Sequence, residues 1–180
     1  MMTLKSNINI QEIKREFRRL TLVLLASFLV GGVVVFLFHK IGSDSRGTAA
    51  ISDPIFDLSI GYVFYHNWII AMILLIGIIS RKTVTYVFLS IQGFIFGAQI
   101  ISVALVGMPM LEVVIRLSHG MLEIPALLIM ALAGTVVIKD KQALRLFALF
   151  VVVSSVLLWF AAVWEIKITP ELWLMFVKGK

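Results

Sequence analysis

At 180 residues, 61% of them hydrophobic and only 14% charged, the chain has too few polar groups to cover a soluble domain, and its mean hydropathy of +1.05 suits lipid. The net charge of +6 does not point to nucleic acid, because the basic residues stand at the ends of apolar runs, where membrane topology needs them. With no cysteine, disulfides, thiolate metal sites and a cysteine nucleophile are excluded, and the redox compartment stays open.

The apolar runs are continuous, without the two-residue alternation of a barrel. They predict an all-α polytopic membrane protein: five transmembrane helices preceded by an amphipathic basic helix. That basic helix is read over Ile8 to Leu20. Ile10, Ile13, Phe17 and Leu20 recur at helical spacing, with Lys14, Arg15, Arg18 and Arg19 largely on the other side. The first span follows from Leu20 to Phe38 and lacks a small-residue cleavage signature, so it is expected to be retained. His39 to Leu58 is a polar loop rich in turn formers.

The second span is expected from Ile60 to Ile79. It opens on Tyr62, Tyr65, His66, Asn67 and Trp68, which read either as interfacial residues or, for Asn67, as an interhelical hydrogen bond. Arg81 and Lys82 form a basic turn before the third span, Val84 to Val106. Gly93 and Gly97 there make a small-xxx-small pair suited to close helix packing, while Gln92 and Gln99 share the opposite face. Gly107, Met108 and Pro109 break the chain. The fourth stretch runs from Met110 to Ile138 and the fifth span from Leu146 to Trp164. The tail from Glu165 is expected as a short interfacial helix after Pro170. The domains expected are thus a basic segment 1–19, a membrane domain 20–164 and an interfacial tail 165–180.

Positive charge orients the spans. With the N-terminus inside, the inner segments hold Lys5, Lys14, Arg15, Arg18, Arg19, Arg81, Lys82, Lys139, Lys141 and Arg145. The outer ones hold Lys40, Arg46, Lys167, Lys178 and Lys180. The bias predicts a multi-pass protein of the cell membrane, N-terminus inside and C-terminus outside.

The fourth stretch holds the ionisable residues that stand out. At about 100° per residue, Glu112, Arg116, His119 and Glu123 fall within roughly one 60° arc of a single helix. Such groups at membrane depth face protein or a water-filled cavity and pair with each other. The stripe reads as a polar cavity with His119 as the titrating group, as an acid/base or metal pair of His119 and Glu123, or as structural pinning of helix four. Gly120 and Pro125 favour the structural reading, because a break there turns residues 109–118 into an interfacial helix, and with Asn67 and Gln92 they are expected at helix contacts. A zinc site needs three or four ligands, and the only other histidines are His39 and His66. No phosphate-binding loop, kinase motif or HExxH occurs, and Ser118 beside His119 does not place a hydroxyl on a base. No cofactor and no metal are expected.

Three segments in order, FYHNWIIAMILLIGIISRKTVT, VFLSIQGFIFGAQI and LSHGMLEIPALLIMALAG, resemble the stage II sporulation protein M (SpoIIM-like) family of multi-pass membrane proteins over roughly residues 60 to 138. The positions that carry the resemblance are Asn67, Gly93, Gly97, His119, Gly120, Glu123, Pro125 and Ala126. Gln92 and Ser118 depart from it, standing where Asn and Pro are common. The resemblance supplies a setting rather than a mechanism, and within it the chain is expected to be a non-catalytic subunit of a membrane complex that handles a hydrophobic peptide or partner protein. It points to the branch associated with circular bacteriocin maturation, export or immunity rather than to sporulation engulfment. The competing expectations are an intramembrane peptidase or cyclase using His119 and Glu123, and a small transporter-like protein. The expected partners are the lipid bilayer, other membrane proteins and a hydrophobic peptide, with no nucleic acid.

Overall fold

A computed structural model describes residues 10–41, 58–80, 82–105, 107, 109–136, 138 and 140–178. Its elements in chain order are α1 (Ile10–Ile41), α2 (Ile60–Leu75) ending in a 3-10 turn (Ile76–Ile78), α3 (Thr83–Leu105), α4 (Met110–Leu117), α5 (Gly120–Thr135) and α6 (Lys141–Val163). A π-helical turn (Trp164–Ile168), α7 (Thr169–Trp173) and a second π turn (Leu174–Lys178) complete it. No strand occurs among the described residues. Among the described residues, five helical stretches are long and apolar enough to cross a membrane: Ile10–Lys40, Ile60–Ile78, Thr83–Leu105, Met110–Thr135 and Lys141–Phe176. The chain is an all-α, multi-pass membrane protein.

The centre of the bundle is α5. Its sequence from Ala126 to Thr135 is apolar all round, and nearly every residue of that run is buried. It packs on α1, α2, α3 and α6, and Leu74, Leu89, Met130 and Leu158 meet in the core around it. The outer faces of the other spans expose Leu22, Leu29, Val87, Leu149, Val152 and Phe160, as lipid-facing surfaces do. Hydroxyls and an indole tie neighbours together where hydrocarbon offers no competing partner. Ser154 Oγ donates to the Ala126 carbonyl at 2.8 Å, Thr85 Oγ1 to the Leu74 carbonyl at 2.8 Å, and Trp68 Nε1 to Ser155 Oγ at 3.1 Å.

The principal partner of α1 is α3. Their backbones approach so closely that a β-carbon on Gly93 would lie 2.6 Å from the Leu24 carbonyl oxygen. One on Gly97 would collide with the Phe28 carbonyl, and one on Gly31 with that of Phe94. Gly93 and Gly97 therefore sit at a crossing that only hydrogen at the β position allows.

Two expectations about the ends of the chain change. The basic segment is not a separate surface helix but the first turns of α1, whose 32 residues extend about 48 Å, well beyond the roughly 30 Å hydrocarbon core. Its buried face is also rotated from the one expected. Ile10 and Phe17 are exposed, while Leu20 and Leu24 are buried, and Glu16 is buried with them at 6% exposure. Glu16 turns inward because it has partners there. Tyr86 Oη donates to it at 2.7 Å, Lys82 Nζ lies 3.1 Å away and Arg19 Nη1 3.8 Å. Lys82 holds this place from a left-handed backbone conformation (φ 75°), uncommon for a residue with a side chain.

The tail is not detached either. Helix six continues through a π turn into α7. Pro170 explains the turn: it has no N–H to offer Ile166, and its ring would press on that carbonyl in a regular helix. Widening the preceding turn to π geometry relieves the conflict.

Candidate functional site

Four elements bring polar side chains to one end of the bundle, each by helical spacing. Ser59 caps α2, its hydroxyl accepting the Tyr62 N–H at 3.1 Å. The first turns of α2 then present Tyr62, His66 and Asn67, with the Tyr62 and His66 rings stacked at 6.4 Å between centroids. Helix α3 presents Gln92, Phe96 and Gln99, at intervals of four and three residues on one face. The start of α5 presents His119, Glu123 and Leu127 at intervals of four, and the π turn after α6 adds Glu165. Together they line a cleft of about 460 Å³.

Within the cleft, His119 Nε2 lies 3.8 Å from Glu123 Oε2, an ion-pair distance that is too long for a direct hydrogen bond. Asn67 makes a side-chain contact with Glu123, and His66 and Glu165 are near enough to act on it electrostatically. Glu123 is buried, with 8% of its surface exposed. His119 Nδ1 is buried and has no hydrogen-bond partner among the described residues. Neither the Gln92 nor the Gln99 carboxamide has such a partner there either. No lysine or arginine occurs among the described lining residues, and the acidic groups of the cleft are Glu123 and Glu165.

A second concavity of about 400 Å³ adjoins the first, with Phe96, Gln99 and His119 lining both. Its remaining wall is apolar: Ile100, Leu117, Gly120, Met121, Ile124 and Pro125. Gly120 was expected at a helix contact. It lies instead in this open groove, with nothing within 4 Å of where a β-carbon would stand, and Pro125 is exposed beside it.

The four-residue ionisable stripe does not form one face, because the helix is interrupted. Ser118 and His119 keep right-handed helical angles, but the N–H groups of Ser118 and Met121 bond to carbonyls three residues back. The chain tightens between α4 and α5, at Ser118 and His119, one turn before Glu123. Glu112 consequently leaves the cleft and accepts the Trp173 indole N–H at 3.2 Å. The side chain of Arg116 lies outside the described residues. Ser118 is fully engaged, donating to the Ile115 carbonyl and accepting from Trp164 Nε1, both at 2.8 Å.

Sequence reasoning singled out Asn67, Gln92, Gln99, His119 and Glu123 without predicting that they meet. It missed Glu165, which was assigned to an interfacial tail. The signal available was Pro170, whose missing donor perturbs the helix one turn back, where Glu165 stands. No three histidine, aspartate or glutamate side chains among the described residues are placed to share a metal ion.

The family model for stage II sporulation protein M matches residues 20–170. No curated protein and no solved structure matches the chain.

Proposed function

The chain belongs to the stage II sporulation protein M family, and from that premise we propose that it is a non-catalytic subunit of a membrane complex whose cleft receives part of a hydrophobic peptide. The observation that carries this reading is the convergence of carboxylates, carboxamides and imidazoles from four elements on a cleft continuous with an apolar groove. Ligand sites combine a largely apolar wall with a few oriented polar groups in this way. Of the family's settings, maturation, export or immunity of a circular bacteriocin is preferred to sporulation engulfment, because residues 117–134 carry the His-Gly-x-x-Glu form of many family members, which puts a sporulation role in doubt. Positive charge concentrated at the opposite end of the bundle supports an orientation with the cleft toward the outer face. Accessibility labelling of tags at both termini tests this orientation. The expected result is a protected N-terminus and an exposed C-terminus, and two termini on one side refute it.

Binding is favoured over catalysis by the engagement of Ser118. The nearest hydroxyl to His119 in sequence, that of Ser118, is bonded elsewhere, and acid–base chemistry requires a base within hydrogen-bond reach of a proton to be moved. A peptidase or cyclase reading retains one supporting observation, the pairing of His119 with Glu123 inside a cavity. Glu123→Gln separates the two, since it keeps the shape and removes the charge. Complex recovery, peptide binding and peptide processing are measured on the same variant. The expected result is weaker peptide binding with a matching fall in processing; lost processing with assembly and peptide binding both normal identifies an enzyme instead.

A further inference from the structure

We propose that the cleft and the adjoining groove form one site for the N-terminal end of a hydrophobic peptide, with the free α-ammonium between Glu123 and Glu165 and the first apolar side chains along Gly120 and Met121. This rests on the peptide-handling reading above, in its maturation form, and names the part of the peptide that is held: a circular peptide has no free α-amine, so the ligand is the linear precursor before its ends are joined.

Charge selects the amine. The cleft carries two carboxylates and two imidazoles, His119 lying 3.8 Å from Glu123, and among the described lining residues no lysine or arginine that would hold a fixed positive charge there. A cation is the complement of such a site, and ammonium–carboxylate hydrogen bonds are stronger than neutral ones. The carboxamides select a peptide. Each offers a donor pair and an acceptor, the complement of a backbone C=O and N–H, and those of Gln92 and Gln99 have no partner among the described residues. A chain terminus is the one place where an ammonium and backbone amides stand side by side, and its capture by convergent polar groups is a recurring mode of recognition.

The groove accounts for the rest of the ligand. It meets the cleft at His119 and Gln99 and is otherwise apolar, so a chain that enters with its amine continues into a hydrocarbon-like wall. Gly120 widens that wall because it has no side chain and nothing stands within 4 Å of its β position. An aminophospholipid also carries an ammonium and apolar chains. Its phosphate, however, would have to lie near Glu123 and Glu165 with no lining lysine or arginine to pair with, and an unpaired buried anion is costly.

The full-length protein in phosphatidylcholine nanodiscs is titrated with a short Leu/Ala-rich peptide labelled at its C-terminus, once with a free and once with an acetylated N-terminus. The free amine is expected to bind at least about tenfold more tightly. In Glu123→Gln/Glu165→Gln the ratio falls to about one, and in Glu165→Gln alone it falls part-way, which guards against misfolding of the double variant. Gly120→Leu fills the groove and weakens both peptides alike. Equal affinities in the unsubstituted protein overturn the proposal, as does a ratio that survives the double substitution or displacement of the peptide by phosphatidylethanolamine. If both peptides bind equally and Gly120→Leu releases both, the amine site falls while peptide handling stands. If neither binds, both fall.

Discussion

With leucine in place of Gly97, α1 no longer seats on α3, and the protein loses its folded form. The collision is with the backbone carbonyl of Phe28, not with the end of a flexible side chain, so no rotamer change relieves it. Either the two helices separate along their length or one of them bends. Overpacking a rigid contact costs about 1–3 kcal/mol and more where the backbone must move, so a loss at or above about 3 kcal/mol is expected. The helix has little else to hold it, because α3 is its principal neighbour. Unfolding in mixed micelles with increasing sodium dodecyl sulfate measures the effect. Gly120→Ala is the matched control: it adds a β-carbon to a helix in open space, and helix propensity alone predicts a gain of up to about 1 kcal/mol. An unchanged unfolding midpoint for Gly97→Leu would refute the crossing.

Glu16→Ala is expected to release the first turns of α1. The carboxylate gathers the Tyr86 hydroxyl, the Lys82 ammonium and the Arg19 guanidinium onto one buried point, and its removal leaves the first two facing an empty space. Breaking a fully buried ion pair costs about 3–5 kcal/mol. The Lys82 side chain is 34% exposed and that of Arg19 59%, so solvent screens part of the interaction and about 2 kcal/mol is the expected loss. Glu16→Gln keeps an acceptor for Tyr86 but not the charge, and roughly half the loss is expected. Hydrogen exchange over residues 10–20 reports the release directly. Unchanged protection there in the alanine variant would mean that the cluster holds nothing.

What the sequence made legible follows the strength of each physical signal. Span number and type were readable because runs of some twenty apolar residues have one stable form in lipid. Gly93 and Gly97 were readable because small residues four apart on an apolar helix have few other uses. Gly31 and Gly32 were not, since within LVGGVVV a pair of glycines reads as a mere dip in hydropathy. Glu16 was hidden for a related reason. On a segment crowded with arginines an acidic residue looks like a surface partner for them, and only the fold brings Lys82 and Tyr86 to its inner side.

The candidate site was half legible. The polar residues of α2, α3 and α5 stood out one by one, because each is costly in hydrocarbon. Their convergence was not readable, because it depends on which helices are neighbours. The ionisable stripe from Glu112 to Glu123 was over-read, since a single helical wheel assumes an uninterrupted helix. The tightening at Ser118 and His119 sends Glu112 to Trp173 and leaves His119 and Glu123 to the cleft.

The pairing of α1 with α3 also orders events during synthesis. A first span whose glycine face matches a third span must enter the lipid and wait there, its close-contact surface bare, while the second span and the connecting turn are translated and inserted. For that interval the nascent chain presents to the insertion machinery a helix that is stable in lipid but has no docking surface. Only when α3 arrives can the Glu16 cluster close around Lys82 and Tyr86, both of which lie in or beside the newly inserted helix. The crossing thus marks the earliest length of chain at which half the bundle can assemble. Ribosome-arrested chains long enough for α3 to have left the exit tunnel would differ sharply from shorter ones in how well α1 resists extraction and proteolysis.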